Sequence, residues 1–246
     1  SPRNTAPVVT VNVLNTNDTR PQLTGTVNDN SAVIRVSVGG QVNLAAVNNA
    51  NGTWTLTDDT ISPALAAGTY NVSVTATDTL GNAGVDGTTN EVVIDLTAPV
   101  VGVDALTTND SRPPLSGTVN DNLAAISVSV GGQTRAATNN GNGTWTLVND
   151  AISPALAQGT YNVSVTATDP AGNAGADATN NELRIDTSAP TVTVTTLVTN
   201  DNRPALSGTV NDTSATIRVD VGGQTNLTAT NNGNGTWTLA DNTISP

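Results

Sequence analysis

Cysteine, histidine, methionine, phenylalanine and lysine are all absent from the 246 residues. Without cysteine there is no disulfide or thiol chemistry, and without histidine there is no imidazole base. Zinc ligation by either residue goes with them. Three Trp and two Tyr are the only aromatics, so any core must be built from Val, Leu, Ile and Ala around them. Charge is sparse and one-sided: 18 Asp and two Glu face eight Arg, a net charge of −12. That balance disfavours nucleic acid and anionic membrane surfaces as partners. No stretch approaches the run of about 18 apolar residues that a membrane helix needs. No signal-peptide pattern opens the chain, and no direct membrane insertion is expected. The lack of cysteine fits a reducing compartment, and equally a surface protein that dispenses with disulfides.

What is present is repetition. Trp54, Trp145 and Trp237 are 91 and 92 residues apart, and Pro7, Pro99 and Pro190 are 92 and 91 apart. The ISP triplets at Ile61, Ile152 and Ile244 keep the same rhythm. Such a period is too long for the common solenoids and suits one small β-sandwich per repeat. The expected domains are residues 1–95, 96–186 and 187–246, the last lacking its final strands.

Within the first repeat, apolar and polar residues alternate in short runs, the signature of half-buried strands. Seven are expected: Val8 to Leu14, Gln22 to Val27, Val33 to Val38, a run after Gly40, Thr53 to Thr57, Thr69 to Asp78, and Glu91 to Asp95. Gly39-Gly40 between two alternating runs signals a two-residue hairpin. Helix signals are nearly absent, and only PALAA (Pro63 to Ala67) could form a helical turn. The expected fold is therefore all-β: tandem Ig-like antiparallel sandwiches, two complete and one partial, in an extended rod. A thin core in repeats of this size leaves room for an external staple. The third repeat has no counterpart of TYNVSVTATD or of the last strand, which would leave sheet edges open. A fragment of a longer array, a complementing strand from another chain, or disorder of the last segment would account for it.

The motifs TAP, RPxLxGTVND, GGQ, NGTWTL, ISPALAxGTYNVSVTATDxxGNAG and E-x-x-x-D recur in order at domain-length spacing. Together they resemble the bacterial Ig-like extender repeats of giant type I-secreted adhesins, the RTX and biofilm-associated group. The resemblance covers essentially the whole chain. It implies an extracellular stalk on a Gram-negative cell surface that projects a distal adhesive domain. Neighbouring repeats would be its partners, and calcium would rigidify the joints. The nonapeptide GGxGxDxUx repeats of the secretion-signal end are missing.

The junction segments EVVIDLTAP and ELRIDTSAP concentrate the chemistry. If strands alternate up and down, the loops after the second, fourth and sixth lie where the chain enters each repeat. In the first repeat that end gathers Asp29, Asp78 and Glu91, and in the second Asp121, Asp169 and Glu182. Asp95 leaves the first repeat and is expected to approach the entrance of the second; Asp186 and Asp212 hold the corresponding places at the next junction. Period-two alternation puts Glu91, Val93 and Asp95 on one strand face and Val92 and Ile94 on the other. Unpaired carboxylates about 5 Å apart repel by roughly 1 to 3 kcal/mol per pair, depending on the effective dielectric. No Lys is available to neutralise them. An all-oxygen, carboxylate-rich set on flexible loops suits Ca²⁺ more than Mg²⁺. The bland alternative is that Asp and Asn simply serve as turn formers. At the opposite end, Asp18 and Asp110 each stand two residues before Arg20 and Arg112, where a local ion pair is expected.

Other candidates carry less. Tyr70 and Tyr161, each in a GTY motif, fit the tyrosine corner of Ig-like sandwiches, and the tryptophans fit the core better than a sugar platform. GNAG lacks the strand-to-helix setting of a phosphate loop. Paired carboxylates repeated in every unit, with no cleft-forming insertion, do not make a glycosidase. No enzyme is expected. The functional expectation is a calcium-stiffened spacer, and the alternative is a module that itself binds glycan, ice or another cell surface.

Overall fold

Runs of Val, Thr and Ile favour a pleated, half-buried backbone over a helix. The computed structural model describes residues 5–245 and is all-β, with no helix among those residues. The PALAA segment carries no helical turn. The chain divides into two compact units, one ending at Asp186 and one beginning at Thr187.

The first repeat, in the larger unit, contains β1 (Leu14–Thr16), β2 (Leu23–Thr26), β3 (Val33–Val38), β4 (Gln41–Asn48), β5 (Thr53–Leu56), β6 (Gly68–Tyr70), β7 (Val72–Thr77), β8 (Ala83–Val85) and β9 (Val92–Ile94). Its strands run in the orders β2-β5-β4-β3-β7-β8 and β1-β9-β6. β4 joins the two faces: Val47 and Asn48 pair with β5, whereas residues 41–46 pair with β3. The β3–β4 hairpin closes through Gly39 and Gly40 at φ 59° and 81°, the left-handed pair that a two-residue turn requires.

Two expected strands are interrupted, and one strand, β8, lies where a loop was expected. The segment from Val8 to Leu14 first lies along β2, where the Thr10 and Asn12 amides donate to Thr26 and Thr24. It then crosses to run parallel to β9, with Leu14 opposite Val92. One short segment thereby covers the edges of two sheets. The strand from Thr69 breaks at Asn71 into β6 and β7. Its partner breaks over residues 86–91 into β8 and β9, so that Thr77 faces Ala83 but Tyr70 faces Val92. The partner therefore carries two extra residues in a bulged break between the two ladders, which belong to different sheets.

The core follows the period of two. Trp54 is wholly buried among Leu23, Ile34, Leu56, Val74 and Ile94, and its indole N–H donates to the Thr10 carbonyl at 2.8 Å. Trp145 and Trp237 repeat this bond, to Gly102 and Thr193, at 2.9 Å. The Tyr70 and Tyr161 hydroxyls donate to the Ala66 and Ala157 carbonyls at 2.9 and 2.8 Å, the corner expected from the GTY motif.

The second repeat has the same plan: β10 (Val101–Val103), β11 (Leu106–Thr108), β12 (Leu115–Val119), β13 (Ala125–Val130), β14 (Gln133–Asn139), β15 (Thr144–Leu147), β16 (Gly159–Tyr161), β17 (Ser164–Thr168), β18 (Ala174–Ala176) and β19 (Leu183–Ile185). The smaller unit is one four-stranded sheet, β20 (Leu206–Thr209), β21 (Ile217–Val221), β22 (Gln224–Asn231) and β23 (Thr236–Leu239), in the order β20-β23-β22-β21.

The expected pairs of Asp18 with Arg20 and Asp110 with Arg112 do not form. Each aspartate instead accepts the backbone amide of its arginine at 2.8 Å. The guanidiniums reach across to the ISP segment. Arg20 donates to the Ile61 and Asp59 carbonyls at 2.7 and 2.6 Å, and Arg112 to those of Ile152 and Asp150 at 2.8 and 2.7 Å. Their carboxylate neighbours are Asp59 and Asp150, each at 3.6 Å. A planar fork satisfies two carbonyls at once, which a pairing within one turn could not do.

Candidate metal centre

The aspartates of the sequence pattern are held by their own turns. Asp29 accepts the Ser31 amide and hydroxyl at 2.8 and 2.6 Å, and Asp121 accepts the Leu123 amide at 2.8 Å. Asp95 accepts the Thr97 amide at 3.0 Å. Asp78 and Asp169 hold tighter loops. Each carboxylate receives the amide and the side-chain nitrogen of the asparagine four residues on, all at 2.8 Å. These bonds set their proton affinities. The Asn82 side chain holds Asp78 below the ordinary aspartate range against a smaller desolvation, with the amides of Asn82, Leu80 and Gly81 assisting. Burial works to raise Asp169, but Asn173 and the amides of Gly172 and Ala171 outweigh it and the net direction is downward.

At the entrance of the first repeat, Asp29 and Asp78 do converge. With Asn28, Asn30 and Thr5–Pro7 they line a hollow of about 320 Å³. The counterpart lies where the first repeat leads into the second. There Asp95, Asp121 and Asp169 line a hollow of about 270 Å³ with Asn120, Asn122 and Thr97–Pro99. The sequence placed Asp95 at this joint beside the second repeat's loops, and the structure brings those residues to one hollow. Their carboxylates border it without closing on one point: among the described residues, no three Asp or Glu stand close enough to share a cation.

The two glutamates are elsewhere. Glu91 is 2 % exposed and lies in the bulge between β8 and β9, where its Oε2 accepts the Val72 amide at 2.9 Å. Val72 is five residues from Thr77 at the loop end of β7, so Glu91 stands roughly 17 Å along the ladder from the Asp78 loop. Glu182 does the same for Val163, also at 2.9 Å. The expected entrance clusters of Asp29, Asp78 and Glu91, and of Asp121, Asp169 and Glu182, therefore lack their glutamates. The reason is that the partner strand begins at Ala83, inside the segment expected to be a loop, so Glu91 lies well along the ladder, and at the break its side chain turns inward, against the expected alternation. Burial works to raise Glu182, but the Val163 amide and the Thr179 side chain overcome it and the net direction is downward. The other oxygen, Oε1, is buried without a hydrogen-bond partner in both repeats.

Asp186 and Asp212 belong to different units. Asp186 accepts from the Arg184 guanidinium at 3.0 Å, and Asp212 accepts the Ser214 amide and hydroxyl at 2.8 and 2.7 Å.

Residues outside the sequence-based set make the joint itself. The Asn17 amide donates to the Ala171 carbonyl at 3.0 Å, and the Asn173 side chain donates to the Asp95 carbonyl at 2.9 Å. Asn173 thus ties Asp169 to Asp95 across the joint. Ala171 is 7 % exposed there, whereas its counterpart Leu80, at the first repeat's entrance, is 62 % exposed. The recurring Asn of the NDxR loops, Asn17 and Asn109, was the available signal.

Comparison with known proteins follows this architecture. The sequence profile of one family, described as bacterial Ig-like domain, matches residues 12–96 and 100–187. No curated protein matches the chain. Among solved structures it is similar to fibronectin(III)-like modules of Clostridium thermocellum CbhA, at 13% identity over 72% of this chain and 94% of that one, TM-score 0.43. A tetra-tandem repeat from the extending region of a large adhesion protein is 26% identical, over 96% of this chain and 66% of that one, TM-score 0.36. A structure from a 1.5-MDa bacterial ice-binding adhesin is 22% identical, over 95% and 86%, TM-score 0.39. Likenesses at these TM-scores say nothing of function.

Proposed function

The chain belongs to the bacterial Ig-like domain family, and on that premise we propose that it is a spacer segment of a large bacterial cell-surface adhesin. Its repeats hold a distal adhesive domain away from the cell, and calcium stiffens their joints. The observation that carries this reading is the joint hollow, where three aspartates from three separate segments face one space.

By donor type the set suits a hard cation, and because, among the described residues, no three carboxylates stand close enough to share one as the joint lies, an ion would have to draw them together. Every donor at the hollow is oxygen. One oxygen each of Asp95 and Asp121 is committed to an amide, and Oδ2 of each remains for a metal. Asp169 is oriented by Asn173, and the asparagines can add neutral oxygens. These residues would hold the ion; Glu91 and Glu182, in their ladder bulges, would not. The chemistry calcium supplies is charge neutralisation. Three like charges around one hollow repel, and a divalent ion that binds only the docked joint stabilises it by about 2.7 kcal/mol at a hundred times its Kd.

Repetition also supports a spacer. Each repeat spends its recurring polar groups on turns, corners and the joint. The test is chelation: removing calcium should lower the melting temperature and loosen the joint, and unchanged values for both would defeat the reading.

A further inference from the structure

We propose that Asn234 is a self-modifying site: the Gly235 amide nitrogen displaces ammonia from its side chain, and water turns the product into aspartate or isoaspartate. The sequence holds five Asn-Gly pairs, at Asn51, Asn140, Asn142, Asn232 and Asn234. Glycine bears no side chain to shield its amide nitrogen, so each pair has the reactants side by side. Folding decides which of them reacts. In four pairs the glycine N–H is occupied. Gly52 donates to the Asn30 side chain at 3.2 Å, and Gly143 to that of Asn122 at 3.1 Å. Gly141 and Gly233 donate to the side chains of Asn139 and Asn231, each at 3.1 Å. Where Asn30 and Asn122 stand, the third repeat has Thr213. Among the described residues, no side chain or carbonyl accepts the Gly235 N–H.

The difference lies in the facing loop and not in the segment itself. GNGTWTL is the same at residues 141–147 and 233–239. Gly143 and Gly235 have φ of 88° and 89°, and their carbonyls accept the Val119 and Val210 amides at 3.0 and 2.9 Å. Asn142 and Asn234 also hold the same turn. Asn142 accepts the Thr144 amide and hydroxyl at 3.2 and 2.7 Å, and Asn234 those of Thr236 at 3.1 and 2.7 Å.

In the reaction the Gly235 nitrogen loses its proton to solvent base and attacks Cγ of Asn234. Negative charge develops on Oδ1, where the Thr236 amide and hydroxyl already donate, an arrangement that stabilises such charge. The Cγ–Nδ2 bond breaks, Nδ2 takes up a proton and leaves as ammonia, and water opens the five-membered imide. The threonine donors serve Asn142 equally, so they do not select. The glycine amide does. A hydrogen bond to the neutral N–H disfavours its deprotonation, and a nitrogen stripped of its proton beside the Asn122 oxygen would face a lone pair. Gly235 meets no such oxygen. The product sets a carboxylate on the loop beside Asp212, whose carbonyl accepts the Asn231 side chain at 2.9 Å.

The test is ageing of the intact chain in warm, mildly alkaline buffer, followed by peptide mapping with mass spectrometry. Asn234 should convert about fivefold faster than Asn142, the factor that one hydrogen bond is worth. Thr213→Asn should slow Asn234 to the Asn142 rate, and Asn122→Thr should quicken Asn142 to the Asn234 rate. In concentrated urea the two should convert at one rate, because their neighbours in sequence are identical. Equal rates at the two sites in the folded chain would overturn the proposal. So would a Thr213→Asn chain that ages like the unaltered one, or a difference that survives in urea.

Discussion

The Glu91 carboxylate accepts the Val72 amide at 2.9 Å inside a break in the β-ladder. It replaces the backbone carbonyl that an unbroken strand would have offered, and Glu182 does so for Val163. Replacing Glu91 by Ala should leave a buried amide without a partner and cost about 1–3 kcal/mol. In a domain of this size that is a fall in melting temperature of about 4–8 °C per kcal/mol. Glu91→Gln keeps an acceptor for the Val72 amide but sets an amide nitrogen where the second oxygen has no partner. It should cost less than Glu91→Ala. If thermal unfolding shows the Gln and Ala variants equally damaged, the carboxylate is doing something other than capping the bulge.

Asn173 reaches the Asp95 carbonyl across the joint, while Asn82, its counterpart, stays within its own loop. Asn173→Ala should therefore loosen the relation between the first two repeats, and Asn82→Ala should not. Because the chain has no native cysteine, spin labels can be placed cleanly at exposed Val42 and Val148. The distance distribution between them should broaden only for the Asn173 variant. Equal breadth in both variants would count against the bridging role.

Arg112 serves the ISP segment rather than Asp110. Arg112→Lys loses the planar fork to the Ile152 and Asp150 carbonyls and should cost about 1–2 kcal/mol. Asp110→Asn keeps an acceptor for the Arg112 amide and should change stability by less than about 0.5 kcal/mol. Denaturant melts of the two variants would reverse this order if the local ion pair mattered more.

Acid should destabilise the fold through particular carboxylates. Asp78, Asp169 and Glu182 are held below their ordinary values of 3.8 and 4.5 in the folded chain. Near those values the unfolded chain binds more protons, so stability rises with pH through that range. The contribution is fully present above it and disappears as pH falls through the depressed folded values. Melting temperature should drop on acidification from neutral pH, and Asp169→Asn should flatten part of the drop. A melting temperature that holds or rises in acid would contradict these directions.

Much of this was legible in the sequence. The repeat period, the valine alternation, the Gly39-Gly40 turn and the buried tryptophans follow from local rules. Convergence of Asp29 with Asp78, and of Asp95 with Asp121 and Asp169, followed from counting strands up and down. Glu91 was misplaced for a nonlocal reason. The segment before Glu91, rich in Gly, Thr and Asn, reads as a loop, yet Ala83–Val85 pairs with β7 as β8, and the break over residues 86–91 shows itself only when β8 and β9 are both seen against their partners. Arg20 and Arg112 were assigned to sequence neighbours because carbonyls some forty residues away have no sequence mark. The Asn17 and Asn173 contacts needed two folded repeats side by side.

The central claim is that calcium holds the joint at Asp95, Asp121 and Asp169. Spin-label distances between Val42 and Val148, measured with calcium and with chelator, test it most directly. The account predicts a narrow distribution with calcium, a broad one without, and little response to calcium in the double variant Asp121→Asn, Asp169→Asn. A distribution identical in calcium and chelator for the unaltered chain would contradict it.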